Sequence, residues 1–201
     1  MDKLIHDDAL ADQKADGIGT RTFSNGDRYE GHFKRGQMHG FGVYYRADGY
    51  VYGGNWIADE PHGEGSSTWP NGNQYEGIYK KGKIEGSGAF ISSKGDKYEG
   101  DLIDGKAHGI GTRTWANGDN YQGDFKDDKK HGYGKYRYAN GSEYRGNWAN
   151  DEINGEGFLK WASGNCYQGT FKNGKRHGRG KLTFVNGPVQ DGRWENDKFI
   201  G

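Results

Sequence analysis

The chain has 201 residues with 28 basic and 28 acidic side chains, so no global field draws it onto nucleic acid or anionic lipid. Only 31% of its residues are hydrophobic, yet 14% are aromatic, and disordered chains are poor in aromatics. Its 38 glycines come with three prolines and no Gly-X-Y period, which excludes collagen, and no run of ~18 apolar residues is present to span a bilayer as a helix.

In chain order, residues 1–15 carry helix formers around Leu4, Ile5, Ala9 and Leu10 and read as a tail or a short helix capping the first hairpin. The segment lacks the apolar stretch of a signal peptide, and the lone Cys166 has no partner for an internal disulfide. Both point to a reducing, cytoplasmic compartment. From Tyr29 onward the pattern Tyr-x-Gly returns every 23 residues without insertion, at Tyr29, Tyr52, Tyr75, Tyr98, Tyr121, Tyr144 and Tyr167, with a degraded copy at Gln190. A strict period of this length marks a repeat array, whose members bury their faces against their neighbours. Residues 16–201 are therefore expected to form about eight repeats, all-β.

Within each repeat the elements follow from spacing. Four residues after the Tyr comes a ring or a leucine: Phe33, Trp56, Tyr79, Leu102, Phe125, Trp148, Phe171 and Trp194. Tyr, Gly and this residue alternate, so all three share one face of a strand. A turn with Gly or Asp leads to His-Gly-x-Gly, clearest at His39-Gly40, His62-Gly63, His108-Gly109, His131-Gly132 and His177-Gly178. Six residues after the first of these glycines stands a further aromatic in most copies, as at Trp69, Trp115, Tyr138, Trp161 and Phe184. An Asn-Gly turn such as Asn25-Gly26 or Asn71-Gly72 closes the repeat and signals a hairpin. Three glycines per repeat would be a loss in a strand unless they leave slots in which rings lie flat. That requires the Tyr face and the Gly-x-Gly face to coincide. A two-residue Asn-Gly loop would oppose them, whereas a three-residue loop with a bulge brings them together, and the latter is expected.

Chemistry-bearing patterns are weak. Equivalent histidines in adjacent repeats would lie two strands, ~10 Å, apart, too far to share a metal ion, and each is better read as a ring bonded to a turn. The acidic pairs Asp59/Glu60 and Asp151/Glu152 stand at turn tips with no base or nucleophile nearby. No glycine spacing matches a phosphate-cradling loop. No catalytic residue, metal or cofactor is expected, and the chain reads as a non-enzyme.

The unit Tyr-Glu-Gly-x-Phe/Trp-x-x-Gly-x-x-His-Gly-x-Gly, repeated from about Asp16 to Gly201, resembles the MORN (membrane occupation and recognition nexus) repeat. The resemblance implies an elongated, single-layer, twisted antiparallel sheet of consecutive hairpins, about fifteen strands at ~4.8 Å or roughly 70 Å. It also implies a scaffold in a cytoskeletal, ciliary or cell-cortex assembly, in some members a homodimer, whose aromatic- and glycine-lined groove docks a helix or extended segment of a partner protein. The lining rings would be Tyr29, Phe33, Tyr52, Trp56, Trp69 and Tyr75, followed by Tyr98, Trp115, Tyr121, Phe125, Tyr144, Trp148, Trp161 and Tyr167. The alternative is a phosphoinositide or membrane-surface binder using basic turn tips: Lys80, Lys81 and Lys83; Lys126, Lys129 and Lys130; Lys172, Lys175 and Arg176. Acidic tips between these clusters weaken that reading, because attraction to anionic lipid relies on uncompensated Lys and Arg. A third reading is a detached regulatory array, since MORN repeats also precede lipid-kinase and methyltransferase domains.

Overall fold

The computed structural model describes the backbone of Leu4–Ile5 and residues 16–201. The capping helix expected over residues 1–15 lies outside the described residues except at β1 (Leu4–Ile5), which is a strand pairing parallel with Ile18 and Gly19. The chain divides into two units, residues 1–95 with 102–105 and residues 96–101 with 106–201. The first contains β2 (Gly17–Thr22), β3 (Arg28–Lys34), β4 (Gln37–Tyr45), β5 (Val51–Ile57), β6 (Glu60–Thr68), β7 (Gln74–Lys80) and β8 (Lys83–Ile91). After β9 (Lys97–Ile103), whose residues are shared between the units, the second contains β10 (Lys106–Thr114), β11 (Asn120–Lys126), β12 (Lys129–Arg137) and β13 (Glu143–Ala149). It continues with β14 (Glu152–Lys160), β15 (Cys166–Lys172), β16 (Lys175–Thr183), β17 (Val189–Glu195) and β18 (Lys198–Phe199). In each unit, β2–β8 and β10–β18, consecutive strands pair antiparallel in chain order, so the fold is all-β and made of successive hairpins.

Two kinds of turn alternate. The tip inside each repeat is a two-residue turn with both central residues at positive φ, as at Ala58 (50°) and Asp59 (68°) or Asn150 (51°) and Asp151 (73°), the type I′ geometry that suits strand twist. The Asn-Gly loop differs. Phe23 N–H donates to Asp27 O (2.8 Å) and Gly26 N–H to Phe23 O (2.9 Å), leaving three loop residues, of which only Gly26 has positive φ. This is the bulged three-residue loop, and it aligns Gly19 with Gly31 and Arg21 with Tyr29 across β2 and β3, which puts Gly19 and Tyr29 on one face.

The Tyr ring occupies the slot that the facing glycines leave. Tyr52, for example, is 1% exposed, and a Cβ added at Gly65 would stand 2.5 Å from its Oη. The hydroxyl then donates to a carbonyl three residues on: Tyr29 to His32 O at 3.0 Å, Tyr52 to Asn55 O at 2.9 Å and Tyr144 to Asn147 O at 3.0 Å. The ring meets its own repeat's second aromatic and that of the next repeat edge-on. In the first unit the chain of contacts is Phe33–Tyr29–Trp56–Tyr52–Tyr79–Tyr75, with centroids 4.9–5.4 Å apart and planes at 75–89°. In the second it runs from Tyr98 through Phe125, Tyr121, Trp148, Tyr144, Phe171 and Tyr167 to Trp194. Each such pair adds about 0.5–1.5 kcal/mol beyond area burial. A sheet without a second layer thereby acquires a core.

The first glycine of His-Gly-x-Gly has a different task. Register shifts between Gly31 and Phe33 place the extra residues of β4 opposite a single step of β3, and Gly40 makes that bulge at φ 62°.

Adjacent repeats are also tied by side-chain to backbone bonds. At the tips, Asp59 accepts from Met38 N–H (2.8 Å), Asp128 from Ala107 (2.9 Å) and Asp151 from Lys130 (2.9 Å). At the loops, Asp27 accepts from Ala47 (2.9 Å), Asp119 from Ala139 (2.8 Å) and Ser142 from Ala162 (3.0 Å). Two prolines stand where these ladders would need a donor, and the partner adjusts. Pro61 faces Gly82, which has no carboxylate and donates its own N–H to Pro61 O (2.9 Å); Pro70 follows a repeat in which Tyr50 replaces the short polar acceptor.

Substituting Gly111→Ala should force a methyl to 2.6 Å from Tyr98 Oη and cost about 3 kcal/mol by overpacking, read as a fall in Tm. Burial raises the phenols of Tyr29, Tyr52, Tyr121 and Tyr144 far above their usual range and that of Tyr98 to about 12. A folded-state pKa above the unfolded one contributes stability below about pH 10 that is lost as pH rises through the folded value. Tyrosinate absorbance should therefore rise in two stages, exposed phenols first and the core phenols in one later cooperative step that coincides with loss of the sheet circular-dichroism signal.

Candidate functional site

The fourteen rings that the sequence offers as a groove lining separate into two groups. Tyr29, Phe33, Tyr52, Trp56, Tyr75, Tyr98, Tyr121, Phe125, Tyr144, Trp148 and Tyr167 are all at most 5% exposed. They face one another and the glycine floor, so a partner meets at most their edges; their place is the core. Trp69, Trp115 and Trp161 are only half-buried. They stand at the loop end of the same face, and the reason is positional: each follows the last paired residue of a strand, beyond the reach of the next repeat's Tyr. Trp69 belongs to the first unit, where Tyr50 (5.8 Å) and Phe90 (6.1 Å) flank it.

In the second unit the position recurs in four successive repeats as Trp115, Tyr138, Trp161 and Phe184, all half-buried. Tyr136, Leu159 and Leu182 form the adjoining row, opposite Tyr121, Tyr144 and Tyr167 across the strands. A depression of about 450 Å³ opens there between Trp161, Phe184, Leu182 and Ser142, with Arg176 in its wall. Among the described residues the indole N–H groups of Trp115 and Trp161 have no protein acceptor, whereas those of the sealed Trp56, Trp148 and Trp194 donate to Gly42, Gly134 and Gly180 carbonyls at 3.2, 3.3 and 2.9 Å.

Two of the proposed lipid contacts lie elsewhere than at the tips. Lys130 Nζ sits 5.4, 4.9 and 4.8 Å from the ring centres of Trp115, Tyr136 and Trp148, and its side chain is 15% exposed. Burial holds its ammonium below the usual range, against the pull of Asp151. The Arg176 guanidinium lies 4.4 Å over Trp194 and donates from Nε to Asp197 (3.0 Å). Both occupy the position before the repeat histidine, filled elsewhere by Met38, Pro61, Ile84, Ala107 and Ile153. That position pairs with the ring four after the Tyr, as Phe125↔Lys130 and Phe171↔Arg176, so it faces the aromatic side. The signal was in the alignment of the repeats: an apolar column interrupted by two cations. Lys83 pairs with Asp104 at 2.5 Å, and Lys80, Lys81, Lys126, Lys129, Lys172 and Lys175 are exposed.

The histidines do not take the role expected of them everywhere. His131 Nδ1 and His177 Nδ1 are buried without a hydrogen-bond partner. No three His, Cys, Asp or Glu side chains among the described residues gather closely enough to hold a metal ion, and no helix among them is long and apolar enough to cross a membrane.

The MORN repeat signature matches eight consecutive segments, 14–28, 29–49, 52–74, 75–97, 98–120, 121–143, 144–166 and 167–189. The chain belongs to the MORN repeat family. No curated protein matches it. Among solved structures, it is similar to the TCP domain of Drosophila melanogaster SAS-4 (dCPAP), determined in complex with a proline-rich motif of Ana2 (dSTIL), at 14% identity and a TM-score of 0.47 over 77% of this chain and 85% of that one. It is also similar to the wild-type TCP10 domain of Danio rerio CPAP, at 14% identity and a TM-score of 0.28 over 86% and 87%.

Reversing Lys130 and Arg176 to Glu should lower Tm by the loss of two ring-stacked cations, on the order of 1–2 kcal/mol each, while leaving any pelleting with phosphatidylserine vesicles unchanged. Reversal of Lys80 and Lys81 is the contrasting control.

Proposed function

We propose that this MORN array is a non-enzymatic scaffold that docks an extended segment of a partner protein along the half-buried ring row of its second unit. The observation that carries the reading is the recurrence of Trp115, Tyr138, Trp161 and Phe184 at one position in successive repeats, with two indole donors among them that no described residue accepts from. Successive repeats are two strands, ~9.6 Å, apart. One turn of a polyproline II segment advances ~9.3 Å, so such a segment crossing the strands would present one side chain per repeat. A helix uses its carbonyls internally, whereas an extended segment leaves them free for the Trp115 and Trp161 N–H groups. Large rings with a polar edge are the usual anchors of such interfaces. Pairing of Lys130 with Asp151 and of Arg176 with Asp197 leaves little free positive charge on this row, which weighs against an anionic surface as the ligand.

The test is affinity capture by the tagged full chain from native lysate, in parallel with the Trp115→Ala/Trp161→Ala variant. Both rings are half-exposed at loop ends, so the variant should keep its fold. The expected result is a defined protein lost with the tryptophans, whose binding segment, made as a peptide, binds without gaining a helical circular-dichroism signal. Equal capture by the variant would place docking elsewhere, and a peptide that binds as a helix would overturn the extended reading.

A further inference from the structure

Gly53 has no structural reason to be glycine. The outward-facing position between Tyr and the invariant Gly carries Glu30, Glu76, Glu99, Gln122, Arg145, Gln168 and Asp191 in the other repeats. At Gly53 a Cβ would meet only Val43 Cγ2 at 3.8 Å and Ser66 Oγ at 3.9 Å, ordinary contact, and its φ is not positive. Both properties separate it from the ring-slot and bulge glycines. What its missing side chain does is open a depression of about 690 Å³ on the face opposite the tyrosines, floored by Gly53, Gly54, Gly65 and Gly77.

Its rim is amphipathic. Phe41 (60% exposed) and Ile78 (36% exposed) stand at two sides, and Glu64 and Glu76 line it together with the neutral Asn55, Ser66 and Ser87. No Lys or Arg is among the lining residues, and neither glutamate has an ion-pair partner among the described residues, so the lining carries two uncompensated negative charges. Four repeats on, the equivalent place in the second unit is about 320 Å³. There Arg145 stands for Gly53, Phe158 for Ser66 and Gln168 for Glu76, and Arg145 is paired with Glu143 at 3.0 Å. With Arg145 set against Glu156, that lining has no net charge. The open, acidic form thus differs from its second-unit equivalent at Gly53, Ser66 and Glu76, and at Gly53 by a residue that the fold does not require.

We infer that the Gly53 depression is a second docking site, for an extended cationic segment of a protein partner with an apolar side chain on the same face. Glu76 pairs with Ser66 across the strands, which makes Glu64 its diagonal neighbour at ~7 Å. Two residues of extended chain advance ~6.8 Å, so basic side chains two apart meet both carboxylates. The next side chain on that face is the apolar one, seated on the glycine floor against Phe41. This site belongs to the first unit, on the face opposite that unit's tyrosines, and stands independently of the ring row of the second.

The experiment titrates the full-length chain with the peptide Ser-Lys-Ser-Lys-Ser-Leu-Ser, and with its Glu-for-Lys counterpart, following backbone amide shifts by NMR at low salt. The inference expects shifts centred on Gly53, Gly65 and Gly77, at least tenfold weaker binding in Gly53→Gln and in Glu64→Gln/Glu76→Gln, and none with the Glu peptide. Gln already occupies this repeat position at Gln122 and Gln168, so Gly53→Gln should keep or raise Tm. Shifts elsewhere, undiminished binding in Gly53→Gln, equal binding of the Glu peptide, or a large fall in the Tm of Gly53→Gln would each overturn it.

Discussion

A tyrosine ring laid over two facing glycines is the constraint on which the rest of this protein depends. A single antiparallel sheet has no second layer to cover its apolar face, and rings standing perpendicular to it would be wetted on both sides. Removing the side chains at Gly31 and Gly42 lets Tyr29 lie against the backbone, where its hydroxyl reaches the His32 carbonyl. Lying flat, the ring offers its edges and face to Phe33 and to Trp56 of the following repeat. Burial, hydrogen bonding and repeat-to-repeat cohesion are thus one arrangement, and each repeat is complete only when its neighbour is present.

The same dependence explains how irregular residues are tolerated. Pro61 and Pro70 lack the N–H that the tip and loop ladders use elsewhere, and the residues that would accept from them are Gly82 and Tyr50 instead of a short acidic or amide side chain. A missing donor therefore leaves no buried acceptor stranded, a loss that would cost about 1–3 kcal/mol. Lys130 and Arg176 show the opposite case. A column that is otherwise apolar admits two cations because three rings at one and Trp194 at the other supply negative faces to receive them.

Function is carried by what this interlock does not use. The ring row of the second unit lies one step beyond the reach of the core tyrosines and so remains half-open. Gly53 lies on the face of the first unit turned away from that unit's tyrosines, where their slots place no demand. Residues that serve the fold recur in nearly every repeat, whereas the candidate binding features are departures from the period or positions at its margin.

The sequence by itself determined the 23-residue period, the hairpins, the shared face of Tyr, Gly and the following ring, and the glycine slots, because strand alternation and turn chemistry are local. The bulged loop was legible too, since only that parity puts Gly42 of one repeat and Tyr52 of the next on one side. Which rings close the core and which stay open was decided by tertiary structure. Tyr144 and Trp161 are alike in composition and periodicity, and their burial differs because one has the next repeat's Phe171 against it and the other ends a strand. Lys130 and Arg176 looked like tip residues because the bulge at the histidine hides their register. Only the cross-strand pairing, Phe125 with Lys130 and Phe171 with Arg176, turns them onto the rings.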